Sequence, residues 1–286
     1  MSSSETVKKV QDAVISRLKK FKASSKHVMA RPWTFDPRAV KLNQDLYENN
    51  PDLDPAMLAR VRKEIDEISD MLKYEKSYRA AWQSHAERLS ASIIELRKVI
   101  QPGQRVLELG WPTLTLHLLR SHFPDAHIES GAFEVRQNWP LADASIDGVI
   151  SMEVFEHLSD IPDGINETVT FSGFQGCLNE SFRALRPGGW VFGTTPNGTS
   201  VVNLLSVLWG ATPWFYQPHF REYGRADITK LALNAGFEIE TLRAAHVLTV
   251  SNKTDYTPVF DALIRYGYTL QDRGDNWFIT LRKPAR

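Results

Sequence analysis

Two apolar runs that each break off at a carboxylate constrain this chain most. Arg105-Val-Leu-Glu-Leu-Gly110 is one and Asp147-Gly-Val-Ile-Ser-Met-Glu153 is the other. Short apolar runs bounded by turn residues fit strands buried on both faces, as in a parallel sheet wrapped by helices. Parallel neighbours need crossover helices, so the expected fold class is α/β. Ligands of an open parallel sheet sit beyond the carboxyl ends of its strands. Here those ends carry Glu108 and Gly110 after the first run, and Glu153-Val-Phe-Glu156-His157 after the second. A cleft lined by carboxylates and an imidazole is therefore expected at that edge.

From residue 101 onward strands and helices alternate. Strands are predicted near 105–110, 147–152, 190–195, 237–242 and 276–282, with a short strand or two within 126–136. Helices are predicted near 113–122, 177–185 and 226–235, the second stopping at Arg186-Pro-Gly-Gly189 and the third at Gly236. Residues 1–100 read as helical instead, which divides the chain into a helical N-terminal region (1–100) and an α/β domain (101–286). Asp54 as N-cap with Pro55 behind it opens one helix. Leu58, Val61, Ile65, Ile68 and Leu72 make its apolar seam, and a second stripe follows at His85, Leu89, Ile93 and Leu96. These stripes suit a helical hairpin docked on the α/β domain, or a homodimer contact.

The first helix of the chain is basic. Val7, Val10, Val14, Leu18 and Phe21 share one face, and Met1 to Arg31 holds eight Lys or Arg against two acidic residues. Its apolar stripe is expected to dock on the chain itself; the alternative is peripheral contact of residues 5–22 with an anionic membrane or an acidic partner. Lys plus Arg equals Asp plus Glu at 34 each, so the charge balance argues against a nucleic-acid partner. A single cysteine, Cys177, excludes a disulfide framework. No stretch reaches the roughly 18 apolar residues of a membrane span, and a cytoplasmic location is expected.

Five segments occur in an order that resembles the class I S-adenosylmethionine-dependent methyltransferases, most closely the type 11-like sugar and small-molecule O-methyltransferases. They are Val106-Leu-Glu-Leu-Gly110, the Trp139–Ile150 segment, Glu153-Val-Phe-Glu-His-Leu158, Leu185–Asn197, and His219-Phe-Arg-Glu-Tyr223 with Leu231–Phe237. The resemblance implies a Rossmann-like, mostly parallel seven-stranded sheet with an antiparallel last strand, preceded by the helical region. It also implies S-adenosylmethionine as cofactor. Glu108 would meet the cofactor's ammonium, Gly110, Trp111 and Thr113 its close approach to the backbone, and Glu129 its ribose. Gln137, Asn138 and Trp139 would lie on the adenine side. Where the family has three glycines, this chain reads Gly110, Pro112 and Leu114, a degenerate loop. Proline removes an N–H donor, and Leu114 is expected to occupy the space of the cofactor's methionine part. Only 36 residues lie between Gly110 and Asp147, so the helix after the second strand is expected to be shortened or lost.

The reacting groups follow from position. His157 is the candidate general base, since an imidazole side chain can take up a proton near neutral pH. Glu153, Glu156 and His219 would support the acceptor. The same four residues, Glu153, Glu156, His157 and His219, are also a candidate set of divalent-metal ligands. A similar arrangement occurs in small-RNA terminal 2′-O-methyltransferases and, in part, in ubiquinone-pathway O-methyltransferases. The aromatic segment 209–223 and the insertion 161–176 are candidate lids. The function implied is O-methylation of a sugar, glycan precursor or other small hydroxylated molecule. Two alternatives stand beside it: a methyltransferase-like binding or assembly protein without activity, and a metal-assisted RNA 2′-O-methyltransferase.

Overall fold

In a computed structural model the described residues are 34–110, 113–161, 171–213, 219–247 and 254–285. The basic segment 5–22 lies outside them. Four helices come first: α1 (Pro37–Glu48), α2 (Pro55–Met71), α3 (Lys76–Ser84) and α4 (Ala86–Leu96). The Asp54 carboxylate accepts from the Met57 backbone N–H at 2.8 Å, and Pro55 holds the first helical position. These two features fix the start of α2 where the sequence puts it. Val61 and Ile65, the centre of its apolar seam, are fully buried in the chain's own core.

The α/β part follows as β1 (Arg105–Leu109), α5 (Leu114–His122), β2 (His127–Gly131), β3 (Ile146–Met152), α6 (Ser172–Ala184) and β4 (Leu185–Pro196). Then come α7 (Val201–Leu208), α8 (Arg225–Asn234), β5 (Glu238–Ala245), α9 (Thr257–Arg265) and β6 (Asn276–Arg282). The sheet order is β2-β1-β3-β4-β6-β5. β2, β1, β3 and β4 pair in parallel, while β6 is antiparallel to both β4 and β5. The expectation of seven strands is corrected to six among the described residues. The missing strand belongs beyond β2, where 132–145 form neither helix nor strand. A strand and its crossover helix do not fit into so short a connection.

Side chains alternate across the sheet, as strand geometry requires. Val106, Ile128, Ile150 and Phe192 face α2, α4 and α5 on one side. Leu107, Val149, Val191 and Ile279 face α6 and α8 on the other, where Cys177 and Leu178 of α6 are buried. A smaller core joins α1, α7 and α9 through Ala39, Leu46, Val201, Leu205 and Phe260. Gly148 of β3 is needed for packing: a Cβ there would stand 2.3 Å from Trp190 Cζ2. Among the described residues no helix is long and apolar enough to cross a membrane.

Candidate active site

β1 ends in a buried carboxyl beside open space. Glu108 is 3% exposed, and its Oε1 accepts from Thr115 Oγ1 at 2.7 Å. Its Oε2 has no hydrogen-bond partner among the described residues. Burial pushes its pKa up to about 7, against the opposing pull of the Thr115 hydroxyl and the Arg120 charge. Gly110 follows at φ 122, a conformation that favours glycine, and among the described residues nothing beyond its chain neighbours lies within 4 Å of where a Cβ would be. Thr113 precedes α5, its hydroxyl 2.9 Å from that of Thr115. Trp111 and Pro112 lie outside the described residues. Leu114 is fully buried in the core beneath α5. As the first residue of that helix it belongs to the apolar stripe that docks on the sheet.

β3 ends in a polar cluster. Phe155–His157 form a single 3-10 turn. Glu156 is fully buried, accepts from Thr195 Oγ1 at 2.8 Å, and leaves Oε1 without a partner among the described residues. Burial, with the nearby Glu153 charge, holds its carboxyl well above the usual range. The backbone N–H of Phe220 donates to the Glu156 carbonyl at 2.9 Å, which returns the distal loop to this turn. His219 thereby meets His157 edge-on, with ring centroids 4.9 Å apart. One ligand atom each from Glu156, His157 and His219 lies within 4.8 Å of the others.

Glu153 stands outside that trio, which reduces the expected four-residue set to three. Its φ of 57 lies in the left-handed region, and its carboxylate has partners other than those of Glu156. Glu153 accepts from Asn276 Nδ2 at 3.1 Å and faces Arg88 of α4, whose Nε is 3.7 Å away. His85, beside Arg88, is lowered to about 4 by burial and by the Arg88 charge, against the pull of Glu153. Sequence reasoning missed Glu222, which is 2.7 Å from His219 Nδ1 and also accepts from Asn203 at 2.7 Å. The i, i+3 spacing of His219 and Glu222 was the available signal. A carboxylate on one ring nitrogen orients the other toward a ligand.

The remaining candidates are dispersed. Glu129 sits opposite Leu107 in mid-strand and pairs with Arg105 at 3.3 Å, away from the carboxyl ends. Gln137 and Asn138 are exposed. Trp139 is buried in the wall, its indole N–H donating to the Val135 carbonyl at 2.8 Å and its backbone N–H to Glu180 at 2.7 Å. Of the aromatic segment, Tyr223 is core, donating its hydroxyl to the Phe155 carbonyl at 3.2 Å, whereas Phe220 is exposed.

A model of the methyltransferase domain family matches residues 77–242, more than half of the chain. The chain belongs to this family. Membership places it in the class I S-adenosylmethionine-dependent superfamily, whose α/β Rossmann-like fold it has. A curated relative from Mycolicibacterium smegmatis, named "Probable S-adenosylmethionine-dependent methyltransferase", is 32% identical over 145 residues. That alignment covers 50% of this chain and 48% of the relative, so the chain spans about half the length of the protein it matches. Among solved structures, the methyltransferase in complex with the Haloferax volcanii Trm112 methyltransferase activator has a TM-score of 0.48 at 17% identity, covering 79% of this chain and 98% of that one. A SAM-dependent methyltransferase from Archaeoglobus fulgidus has a TM-score of 0.45 at 13% identity, covering 68% and 94%. The residues of this methyltransferase domain fit the family's cofactor. Gly110 leaves room at the end of β1, and among the described residues Glu108, His85, Arg88 and Asn276 each carry a buried polar atom without a hydrogen-bond partner.

Proposed function

We propose that the protein transfers a methyl group from S-adenosylmethionine to an oxygen of a small polyhydroxylated acceptor, a sugar or glycan precursor. The observation that carries this reading is the convergence of Glu156, His157 and His219 at the end of β3, the strand next to the Gly110 opening of β1. The bound cofactor supplies an electrophilic methyl carbon; the chain must present the acceptor in line with it and take up its proton. His157, the exposed member of the trio, is the base. The Glu156 carboxyl and the His219 ring, steadied by Glu222, hold neighbouring acceptor oxygens. A divalent cation held by Glu156, His157 and His219 would lower the pKa of a coordinated hydroxyl. In that case His157 is a ligand and not the base. In this reading residues 101–286 form the catalytic domain, and α2 and α4 pack on one face of its sheet.

Calorimetric titration with S-adenosylhomocysteine tests the cofactor half, and saturable binding is expected. No heat at millimolar ligand would leave only a scaffold. Transfer of labelled methyl to simple glycosides tests the rest. His157→Ala is expected to lose about 10²- to 10⁴-fold in rate, the usual contribution of a general base, with S-adenosylhomocysteine affinity retained. Activity that disappears with EDTA and returns with Mn²⁺ would assign His157 to the metal; activity indifferent to both would assign it to the proton. An acceptor with vicinal hydroxyls suits the trio in either case, and a terminal ribose meets that description. The balanced charge of the chain favours a small molecule over RNA.

A further inference from the structure

We propose that the cleft between α1 and the end of β5 is a sugar subsite, holding a ring of the acceptor other than the one that is methylated. This rests on the glycan reading above and narrows it: the acceptor is an oligosaccharide. The cleft has a volume of about 510 Å³, within the range of small-ligand sites. α1, the connection 49–52, the residues closing β5 and the loop 270–274 enclose it. It lies at the opposite edge of the sheet from β2 and β1, away from the Gly110 turn.

Its chemistry suits a neutral ligand. Asp45, Asp52 and Asp272 line it, and each already meets a cation: Lys41 at 2.7 Å, Arg243 at 2.9 Å and Arg225 at 2.5 Å. An anion would face three carboxylates, and a cation would find them taken. Nor are they gathered as metal ligands: among the described residues the one such group is Glu156, His157 and His219. A paired carboxylate keeps lone pairs for a hydroxyl. Leu42, Leu46, Phe260 and Leu270 supply an apolar surface beside these groups. A sugar ring matches that combination, with hydroxyls on its edge and C–H groups on its face. His246 can meet a hydroxyl in either role. It is half-buried at the cleft, and burial lowers its pKa to about 4 against the pull of Asp52, so the ring is uncharged near neutral pH. Nδ1 is buried without a hydrogen-bond partner among the described residues. No bond there dictates the tautomer, and Nε2 is left able to donate or to accept.

The cleft shares a rim with the trio. Ala245 at the end of β5 pairs with Asn276 at the start of β6, and Asn276 pairs with Pro196 at the end of β4. β4 runs parallel to β3, whose end delivers Glu156 and His157. At the usual strand spacing, the three steps from β3 through β4 and β6 to β5 amount to about 14 Å. A single ring does not reach across that distance, and a short oligosaccharide does. Hydrogen bonds through the protein hold the two places in register. Asn197 donates to the Asp272 and Gly274 carbonyls of the cleft, each at 2.8 Å. Its own carbonyl accepts from Asn203 at 3.0 Å, and the same Asn203 amide donates at 2.7 Å to Glu222, the carboxylate on His219.

Calorimetry on the full chain tests this, with linear tetrasaccharides of glucose, mannose and galactose and their methyl glycosides as probes. At least one tetrasaccharide should bind about 10-fold or more tighter than its own methyl glycoside. His246→Leu should weaken that tetrasaccharide about 3- to 10-fold, the worth of a neutral hydrogen bond, and leave S-adenosylhomocysteine within about twofold. His246→Gln should recover part of the loss. Leucine is apolar where the ring is buried, and unchanged melting would show that the fold persists. If it fails to fold, Asn49→Ala decides, since Asn49 lines the cleft from an exposed position. Equal affinity for tetrasaccharides and single rings overturns the subsite, as does a tetrasaccharide affinity indifferent to these changes in a folded variant. Absence of glycan binding overturns it too, whether or not the cofactor binds. Tetrasaccharide binding without any binding of S-adenosylhomocysteine defeats the cofactor reading alone and leaves the cleft standing.

Discussion

Glu108→Gln should make the ligand-free protein more stable at neutral and alkaline pH, by an amount that grows with pH. The carboxyl is 3% exposed, and burial raises its pKa from the ordinary 4.5 to about 7. Well below pH 4.5 it is protonated whether the chain is folded or not, and its titration has no effect on stability. Between there and pH 7 the unfolded chain releases the proton while the folded chain keeps it. The folded state therefore binds more protons, and the free energy of unfolding falls as pH rises. Each tenfold difference in proton affinity is worth about 1.4 kcal/mol. From pH 5 to pH 8 the wild type should thus lose about 2.5 kcal/mol relative to the variant. Glutamine has the same shape, still accepts from Thr115, and does not titrate. The assay is a pair of thermal melts across that pH range, read as the difference between the two proteins so that all other groups cancel. For a domain of this size the gap in Tm should widen by about 5–10 °C. Parallel curves from pH 5 to 8 would show that Glu108 ionises in the folded protein without penalty, and the argument from burial would fail.

Three further outcomes follow from local geometry. Gly148→Ala drives a methyl into the Trp190 indole and should cost about 1–3 kcal/mol, measured by urea unfolding. Asp54→Ala removes the side-chain acceptor of the Met57 N–H and should cost about 1 kcal/mol, seen as a lower Tm. Glu222→Gln weakens the orientation of His219 and should reduce Mn²⁺ affinity about 10- to 100-fold, followed by calorimetry; an unchanged affinity would exclude metal binding through this histidine.

Elements whose signal is local were legible in the sequence. The last strand was placed at 276–282, where β6 lies, because alternation within Asn276–Arg282 is interrupted by neither Gly nor Pro. α2 was legible because Asp54-Pro55 names its start chemically. α7 and α9 were missed. The near-continuous apolar run Val201-Val-Asn-Leu-Leu-Ser-Val-Leu208 has no polar face to set a 3.6-residue period. Its helical state depends on packing against α1 and α9, contacts that close only in three dimensions. The burial of Leu114 was not legible, because the family pattern assigns its position to a loop, whereas here it begins a helix. In the site, Glu156, His157 and His219 were legible as motifs, and the structure gathers them. That Glu153 stands outside the trio was not, since its carboxylate accepts from Asn276, which is remote in sequence. His85 was read as one position of an apolar stripe. Its i, i+3 partner Arg88 shows that this face of α4 also carries a buried charge.

Cys177 offers a practical consequence. The thiol is sealed between α6 and the sheet, and burial raises its pKa, so little reactive thiolate forms. A maleimide dye added to the native protein should stay dark until α6 lifts off the strands beneath it. Because the sequence contains one cysteine alone, every fluorescent molecule then reports the same opening event, and a titration of ligand against labelling rate would read occupancy without an acceptor in hand.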